Sequence, residues 1–278
     1  MTSRTPSTAL SLIALLGLSS VLCAQPAKTP TLGEILDRLE ANLNHYDTGV
    51  PSFFCDEHVI SKVEPGLPNE NTITDSVFRL KRTPNPDHTT TLVESREIKN
   101  VDGKPATKQD INGPTLLDGA FEGGLAVVSV NQTSCINYSL QRINKNHPAE
   151  LYIVRFNTVL TPQNTAGCLL QENSWGRVFI DPASMQITHL EITTPHHIII
   201  HGNSYTSPVI GQRVVTADYA PVQLGSETFW MPSTITLRAI SGSGTFHTTV
   251  WSFRATYRNY HKLEVTSRIL PGIKVPAP

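Results

Sequence analysis

TLGEILDRLEANLNHY, residues Thr31–Tyr46, is the stretch that organises the predicted fold. Thr31 and Glu34 have the spacing of a capping box, which predicts that a helix begins here. Asp47, Thr48 and Gly49 end the pattern, so the predicted helix spans 31–47. Its apolar residues recur at the spacing of one helix face: Leu32, Ile35, Leu36, Leu39, Leu43 and Tyr46. A helix with one apolar face needs a surface to pack against, and we expect that surface to be a sheet.

Antiparallel strands separated by turns are predicted from Phe53 onward. The clearest strand, 245–257, places Trp251, Phe253 and Tyr257 on one face by alternation. The segment 112–130 predicts a short helix or an ordered loop. The other predicted strands are 53–63, 76–82, 90–100, 137–143, 151–159, 176–180, 186–193, 214–219 and 229–240. The fold class is therefore mainly β (α+β): a curved antiparallel sheet or half-open β-barrel wrapped around one N-terminal helix.

The N-terminus has the layout of a secretory signal peptide. Arg4 is followed by an apolar run and then by Cys23-Ala24-Gln25. Cleavage near Ala24 predicts a soluble periplasmic or secreted protein with no transmembrane segment in the mature chain. Acylation of Cys23 is the alternative, and the bulky Leu22 beside it disfavours lipoprotein processing. The expected organisation is a signal peptide at 1–24, a spacer at 25–30, one β-rich domain at 31–270 and a C-terminal tail at 271–278.

Charge and composition exclude one class of partner. The chain has 22 Lys and Arg against 23 Asp and Glu, so its formal net charge is −1. Such a balance offers no electrostatic attraction for nucleic acid or for an anionic membrane surface. The sequence leaves the oligomeric state open.

Three cysteines remain beyond the signal segment: Cys55, Cys135 and Cys168. An oxidising compartment permits one disulfide, and an odd number leaves one thiol over. Cys135 with Cys168 is the preferred pair, while Cys55 with either of them is the competing arrangement.

A loose histidine group raises the question of a metal site. His189, Glu191, His197 and His201 fall within one predicted strand and its loop, where they would be candidate ligands for zinc or copper. Their spacing matches no metal-binding motif, and solvated or hydrogen-bonded histidines are the simpler interpretation. We therefore predict neither a metal nor another cofactor.

Other catalytic patterns are weak as well. Asp56 and Glu57 alternate across a predicted strand, so their carboxylates face opposite sides and cannot act as a pair. The serines lack a Gly-x-Ser-x-Gly elbow. We predict no catalytic residues, and the sequence favours a protein that is not an enzyme.

Several segments carry a family resemblance. The signal peptide, the single helix and the late hairpin containing Gly-Arg-Val-Phe-Ile-Asp-Pro (176–182) resemble the lipoprotein-localisation carrier superfamily in layout. The segments 53–57, 175–192, 229–233 and 257–263 are similar to uncharacterised secreted bacterial proteins. The resemblance implies an unclosed barrel whose concave face and helix line an apolar cavity for acyl chains, with a lipid or lipoprotein as partner.

The predicted function is binding of an apolar ligand, such as a lipid, an acyl chain or a lipoprotein, between the helix and the curved sheet. Burial of apolar ligand surface would drive binding. The candidate lining residues are Leu39, Trp230, Trp251, Phe253 and Tyr257. Two alternatives are a metal-dependent hydrolase using the histidine group and a structural or adhesive module of the cell envelope.

Overall fold

One antiparallel sheet of eleven strands and one α-helix make up the part of the chain that the structure describes. The structure is a computed structural model and describes residues 29–63, 71–86, 90–106, 125–141, 151–198, 209–243 and 246–263. The helix is α1 (Leu32–Gly49). The strands are β1 (Phe53–Val63), β2 (Asn71–Pro84), β3 (Thr90–Val101), β4 (Lys104–Pro105), β5 (Ile136–Leu140), β6 (Tyr152–Thr158), β7 (Trp175–Ile180), β8 (Ile187–Ile198), β9 (Val209–Leu224), β10 (Glu227–Ser243) and β11 (Phe246–Lys262). The predicted class, mainly β with a helix near the N-terminus, is confirmed.

The strand order is β4-β3-β2-β1-β11-β10-β9-β8-β7-β6-β5, so the sheet is not a simple meander. The first and last strands of the sequence pair in its middle, with Glu57 opposite Tyr257. Its two outer strands are β4 and β5, and it stays unclosed because these do not pair with each other. The described residues from Thr31 onward belong to one compact unit.

Helix α1 begins as the capping box predicts. The Thr31 hydroxyl accepts a hydrogen bond from the Glu34 backbone N–H at 3.3 Å, and the Glu34 carboxylate accepts one from the Thr31 N–H at 2.6 Å. The helix runs to Gly49, two residues beyond the predicted end, because the Val50 N–H still donates to the Tyr46 carbonyl at 2.9 Å. Its buried residues, Ile35, Leu36, Leu39 and Tyr46, all belong to the predicted apolar face.

The core lies between α1 and the inner face of the sheet, which we define as the face that carries the buried side chains. In β11 the predicted alternation holds, since Phe253, Ala255 and Tyr257 are buried. In β1 it buries Glu57 and leaves Asp56 exposed, so these two carboxylates do face opposite sides.

Gly176 in β7 is a point of close approach. A Cβ atom there would collide with the Glu191 carbonyl oxygen and lie 2.5 Å from Cζ of Phe156. Backbone cannot yield as a flexible side chain can, so only glycine fits this position.

Substitution of Gly176 by alanine is therefore expected to lower the free energy of unfolding by about 1–3 kcal/mol through overpacking. Urea unfolding followed by circular dichroism measures the change. Gly33→Ala is the matched control, because a Cβ there meets nothing within 4 Å. Because Gly33 lies in the first turn of α1 and alanine is a good helix former, that variant is expected to be at least as stable as the original. Equal effects at both positions would contradict the packing argument.

A disulfide joins Cys135 to Cys168, with the two Cα atoms 5.7 Å apart. It connects the start of β5 to the 3-10 helix Thr165–Gly167, which follows β6. This is the pair that the sequence favours. Cys55 is a buried free thiol on the inner face of β1.

Several sequence predictions lie outside the described residues. These are the signal peptide, the C-terminal tail, His201 and most of the segment 112–130. In the described part of the chain, no helix is long and apolar enough to cross a membrane.

Candidate functional site

An apolar groove lies where the C-terminal half of α1 meets the first residues of β8 and β10. The helix contributes Leu39, Leu43 and Tyr46. The strands and the segment before β5 contribute Ile187, Phe229, Trp230, Leu125 and Val128. Polar side chains stand among them: Asn42, His45, Gln186 and Thr228. An apolar lining with a few polar groups is typical of sites for apolar ligands.

The groove is nearly closed as the structure stands. The enclosed space is about 30 Å³, which is room for about one water molecule. Leu39, Ile187 and Phe229 are almost fully buried, whereas Leu43 and Trp230 are half-buried. An acyl chain therefore cannot occupy the groove unless α1 moves away from the strands.

Few polar contacts hold this part of α1. Asn42 donates a hydrogen bond from Nδ2 to the Met185 carbonyl at 2.7 Å, and the Glu40 carboxylate accepts one from the Val130 N–H at 2.9 Å. The His45 ring stacks on Phe229 with 5.1 Å between the ring centres. The two hydrogen bonds can be exchanged with water, and water screens the exposed His45–Glu227 pair, in which Nε2 and Oε2 lie 3.7 Å apart.

The end of the helix is fixed more firmly. Arg82 donates from Nε to the Val50 carbonyl at 2.8 Å and from Nη2 to the Asp47 carbonyl at 2.7 Å. One side chain of β2 thus caps the last turn of α1 and the residue after it. These two hydrogen bonds anchor the end of α1 to β2.

Of the five predicted lining residues, Leu39 and Trp230 lie in the groove. Phe253 and Tyr257 are buried in the core on β11 and do not line it, and neither does Trp251, which is half-buried on the same strand. Leu43 and Tyr46 were predictable from the helix periodicity. The contributions of Leu125, Val128 and Ile187 depend on tertiary contacts and had no local signal.

A buried ion pair is the second notable feature of the inner face. Glu57 on β1 is 1 % exposed, and one of its carboxylate oxygens lies 3.0 Å from Nε of Arg96 on β3. The guanidinium also lies 4.9 Å from the centre of the Phe78 ring, and Glu94 is 3.7 Å away. Burial lowers the pKa of Arg96, but Glu57, Tyr257 and Glu94 together outweigh the effect of burial and leave that pKa raised. The sequence predicts that Glu57 lies on the opposite face of its strand from Asp56, but it does not identify Arg96 as the partner of Glu57.

Tyr257 borders the same pair. Burial raises its pKa well above the usual range, and the neighbouring Glu57 carboxylate raises it further. The phenol therefore stays neutral at physiological pH. Glu57, Arg96 and Tyr257 therefore form a polar cluster that is buried in the core and shielded from solvent.

Of the histidine group, only His189 and Glu191 have side chains in the part of the chain that the structure describes. His189 Nδ1 lies 2.6 Å from Asp218 Oδ1, and its Nε2 lies 3.4 Å from Glu191 Oε1. Glu191 in turn pairs with Arg177 at 2.6 Å. Among the described residues, no set of three His, Cys, Asp or Glu side chains is arranged to hold a metal ion. Both ring nitrogens of His189 face carboxylates, as a hydrogen-bonded surface histidine would.

Comparisons with known proteins find solved structures that match this chain at low identity and low TM-score. No family model matches the chain, and neither does any curated protein. A LolA superfamily protein from Nitrosomonas europaea matches over 83% of this chain and 94% of its own, at 8% identity and a TM-score of 0.36. A putative outer membrane lipoprotein-sorting protein domain from Vibrio parahaemolyticus matches over 80% of this chain and 90% of its own, at 12% identity and a TM-score of 0.37.

A third solved structure, a DUF1329 family protein from Desulfovibrio piger, matches over 86% of this chain and 96% of its own. Its identity is 7% and its TM-score 0.38.

Proposed function

We propose that the groove beside α1 binds an apolar chain, such as the acyl part of a lipid or of a lipoprotein. The observation that carries the proposal is the groove's composition: apolar side chains from the helix and two strands meet at one seam, with polar groups beside them. Each methylene buried there would contribute about 0.8 kcal/mol. Such binding needs no cofactor.

Entry of the ligand requires α1 to act as a lid. The Asn42–Met185 hydrogen bond and the His45–Phe229 stack would open, and the Arg82 contacts with the end of the helix would stay. The helix face that packs on the strands in the closed form would then pack on the ligand. Half-buried Leu43 and Trp230 stand at the opening and would meet the chain first.

Fluorescence titration tests the proposal. Palmitate or lyso-phosphatidylethanolamine added to the purified protein is expected to shift the tryptophan emission to shorter wavelength, because Trp230 would lose contact with water. Leu43→Asp is expected to weaken binding about tenfold or more, since a carboxylate in an apolar site is costly to desolvate.

The control for that variant is Val93→Asp. Val93 is 46% exposed on β3 and does not line the groove. The Val93→Asp variant should therefore bind both lipids as well as the original protein does. The proposal fails if neither lipid binds the original protein, or if both variants bind equally well.

We also propose that the protein is exported and cleaved near Ala24. The pattern of residues 1–24 supports this, and the Cys135–Cys168 disulfide is of the kind that an oxidising compartment permits. Intact-mass measurement of protein recovered from a bacterial periplasm should give a mature N-terminus at Gln25. A diacylglycerol-modified Cys23 would instead show an anchored lipoprotein.

A further inference from the structure

A second depression lies on the outer face of the sheet, on the side opposite the core. It spans β5 to β8 and has a volume of about 520 Å³, within the range of small-molecule sites. Six of its nine lining residues are polar, whereas most of those that line the groove beside α1 are apolar. Trp175 stands in it, flanked by Asn157 on β6 and Thr193 on β8, which are its partners in the strand register.

Trp175 is unusual in its exposure. It is 43% exposed, and it is the only Phe, Tyr or Trp side chain in the described part of the chain that is so open to solvent. Its neighbours in the depression are hydrogen-bonding groups and not a continuous apolar patch. An isolated indole among polar side chains is poorly suited to a protein interface, which requires a larger apolar centre.

A second row of side chains runs across the same strands, two residues along each strand from the row that contains Trp175. Ser139, Arg155, Arg177 and Glu191 lie opposite one another in register on β5, β6, β7 and β8. Arg177 is neutralised by Glu191, with Nη2 and Oε2 2.6 Å apart. Arg155 is exposed and donates only to the neutral amide of Gln141, at 3.1 Å, among the described residues. The depression therefore offers one cation that has no carboxylate partner among the described residues, in the row two residues along the strands from Trp175.

These features together define what the depression can recognise. A sugar ring presents C–H groups on one face, which are attracted to the negative face of an aromatic ring. Its hydroxyl groups both donate and accept, as do the side chains of Asn157, Ser139 and Thr193. A carboxylate on the sugar would form a charge-assisted hydrogen bond with Arg155. One cation is too few for nucleic acid, whose affinity depends on many phosphate contacts.

We propose that this outer depression, which we call the Trp175 site, binds an oligosaccharide that carries a carboxylate. A sugar ring stacks on Trp175, and the carboxylate pairs with the Arg155 guanidinium. The site is on the opposite face of the sheet from the groove beside α1, so the two can act independently. It does not depend on binding of an apolar chain.

An array of immobilised oligosaccharides tests this inference, with hexose, N-acetylhexosamine and hexuronate oligomers as probes and the full protein in solution. We expect retention on hexuronate oligomers. Trp175→Ala is expected to reduce the affinity for the retained sugar about tenfold or more, as loss of a central aromatic contact does. Arg155→Gln should also reduce the affinity for that sugar. Raised ionic strength should lower the affinity of the original protein more than it lowers the affinity of the Arg155→Gln variant.

Two controls separate the outcomes. Leu43→Asp should keep its sugar binding, because Leu43 lies in the other groove. Circular dichroism should show that Trp175→Ala is folded, as expected for an exposed side chain. The inference is overturned if no sugar is retained, if Trp175→Ala binds as well as the original protein, or if only neutral oligomers bind.

Discussion

Substitution of Arg96 by methionine is expected to lower the free energy of unfolding by about 3–5 kcal/mol, the usual result of removing one partner from a buried ion pair. The reason is that Glu57, 1% exposed, would keep a carboxylate in the core without its guanidinium partner. The Phe78 ring would also lose the cation above it. Urea unfolding monitored by circular dichroism measures the loss.

Two further variants make this prediction specific. Arg79→Met breaks the Arg79–Glu97 pair, which joins the same region of β2 and β3 on the exposed side of the sheet. We expect a much smaller effect there, because water screens and replaces an exposed pair. The double variant Glu57→Leu with Arg96→Met should recover much of the loss, since no unpaired charge remains. If Arg96→Met and Arg79→Met prove equally mild, the buried pair does not contribute as we describe.

Removal of the disulfide is the other substitution with a large expected effect. The double variant Cys135→Ser with Cys168→Ser should lose about 3–4 kcal/mol of unfolding free energy in the chain-entropy model. The bridge spans a sequence separation of 33 residues, so its loss frees a long loop in the unfolded chain. Thermal and urea unfolding, compared with the oxidised original, measure the difference.

Thiol labelling checks the pairing itself. Cys55 is fully buried, and burial raises the pKa of its thiol well above the usual range, so the reactive thiolate is scarce near neutral pH. We expect Cys55 to react with a thiol reagent only after denaturation, and peptide mapping should find Cys135 and Cys168 linked. Labelling of Cys135 in the folded, oxidised protein would contradict the structure.

Local sequence patterns predicted the elements of this fold well. The capping box at Thr31 and Glu34 marked the start of α1, and the apolar periodicity marked its buried face. Alternation in β11 predicted that Phe253 and Tyr257 share a face. These signals succeed because they depend on neighbours within a few residues, where backbone geometry alone decides which side chains lie together.

The strand order needed information that no local pattern contains. Alternation predicted antiparallel strands but not their order, and in the structure β1 pairs with β11 and the two edges are β4 and β5. Asp56 and Arg258 are opposite each other although about two hundred residues separate them in the sequence. Pairing at that distance depends on how whole strands fit together, and many orders are compatible with the same alternation.

In the candidate site too, some residues follow from local sequence patterns and others depend on tertiary contacts. Leu39 and Trp230 could be nominated from the sequence because one lies on an apolar helix face and the other is an aromatic in a strand. Which inner-face residues lie under the helix is a different question. Phe253 and Tyr257 are on the correct face, yet they belong to the core, while Leu125 and Ile187 complete the groove.

By itself, the sequence determined the class of fold, the helix and its apolar face, the alternation of the strands and the preferred cysteine pair. Only the tertiary structure decided the meeting of β1 with β11, the burial of Glu57 beside Arg96, the narrow groove at α1 and the open Trp175 site. The physical reason is one of range. Helix caps and alternation act between near neighbours, whereas a groove, an ion pair across β2 and an outer depression exist only once distant strands have come into register.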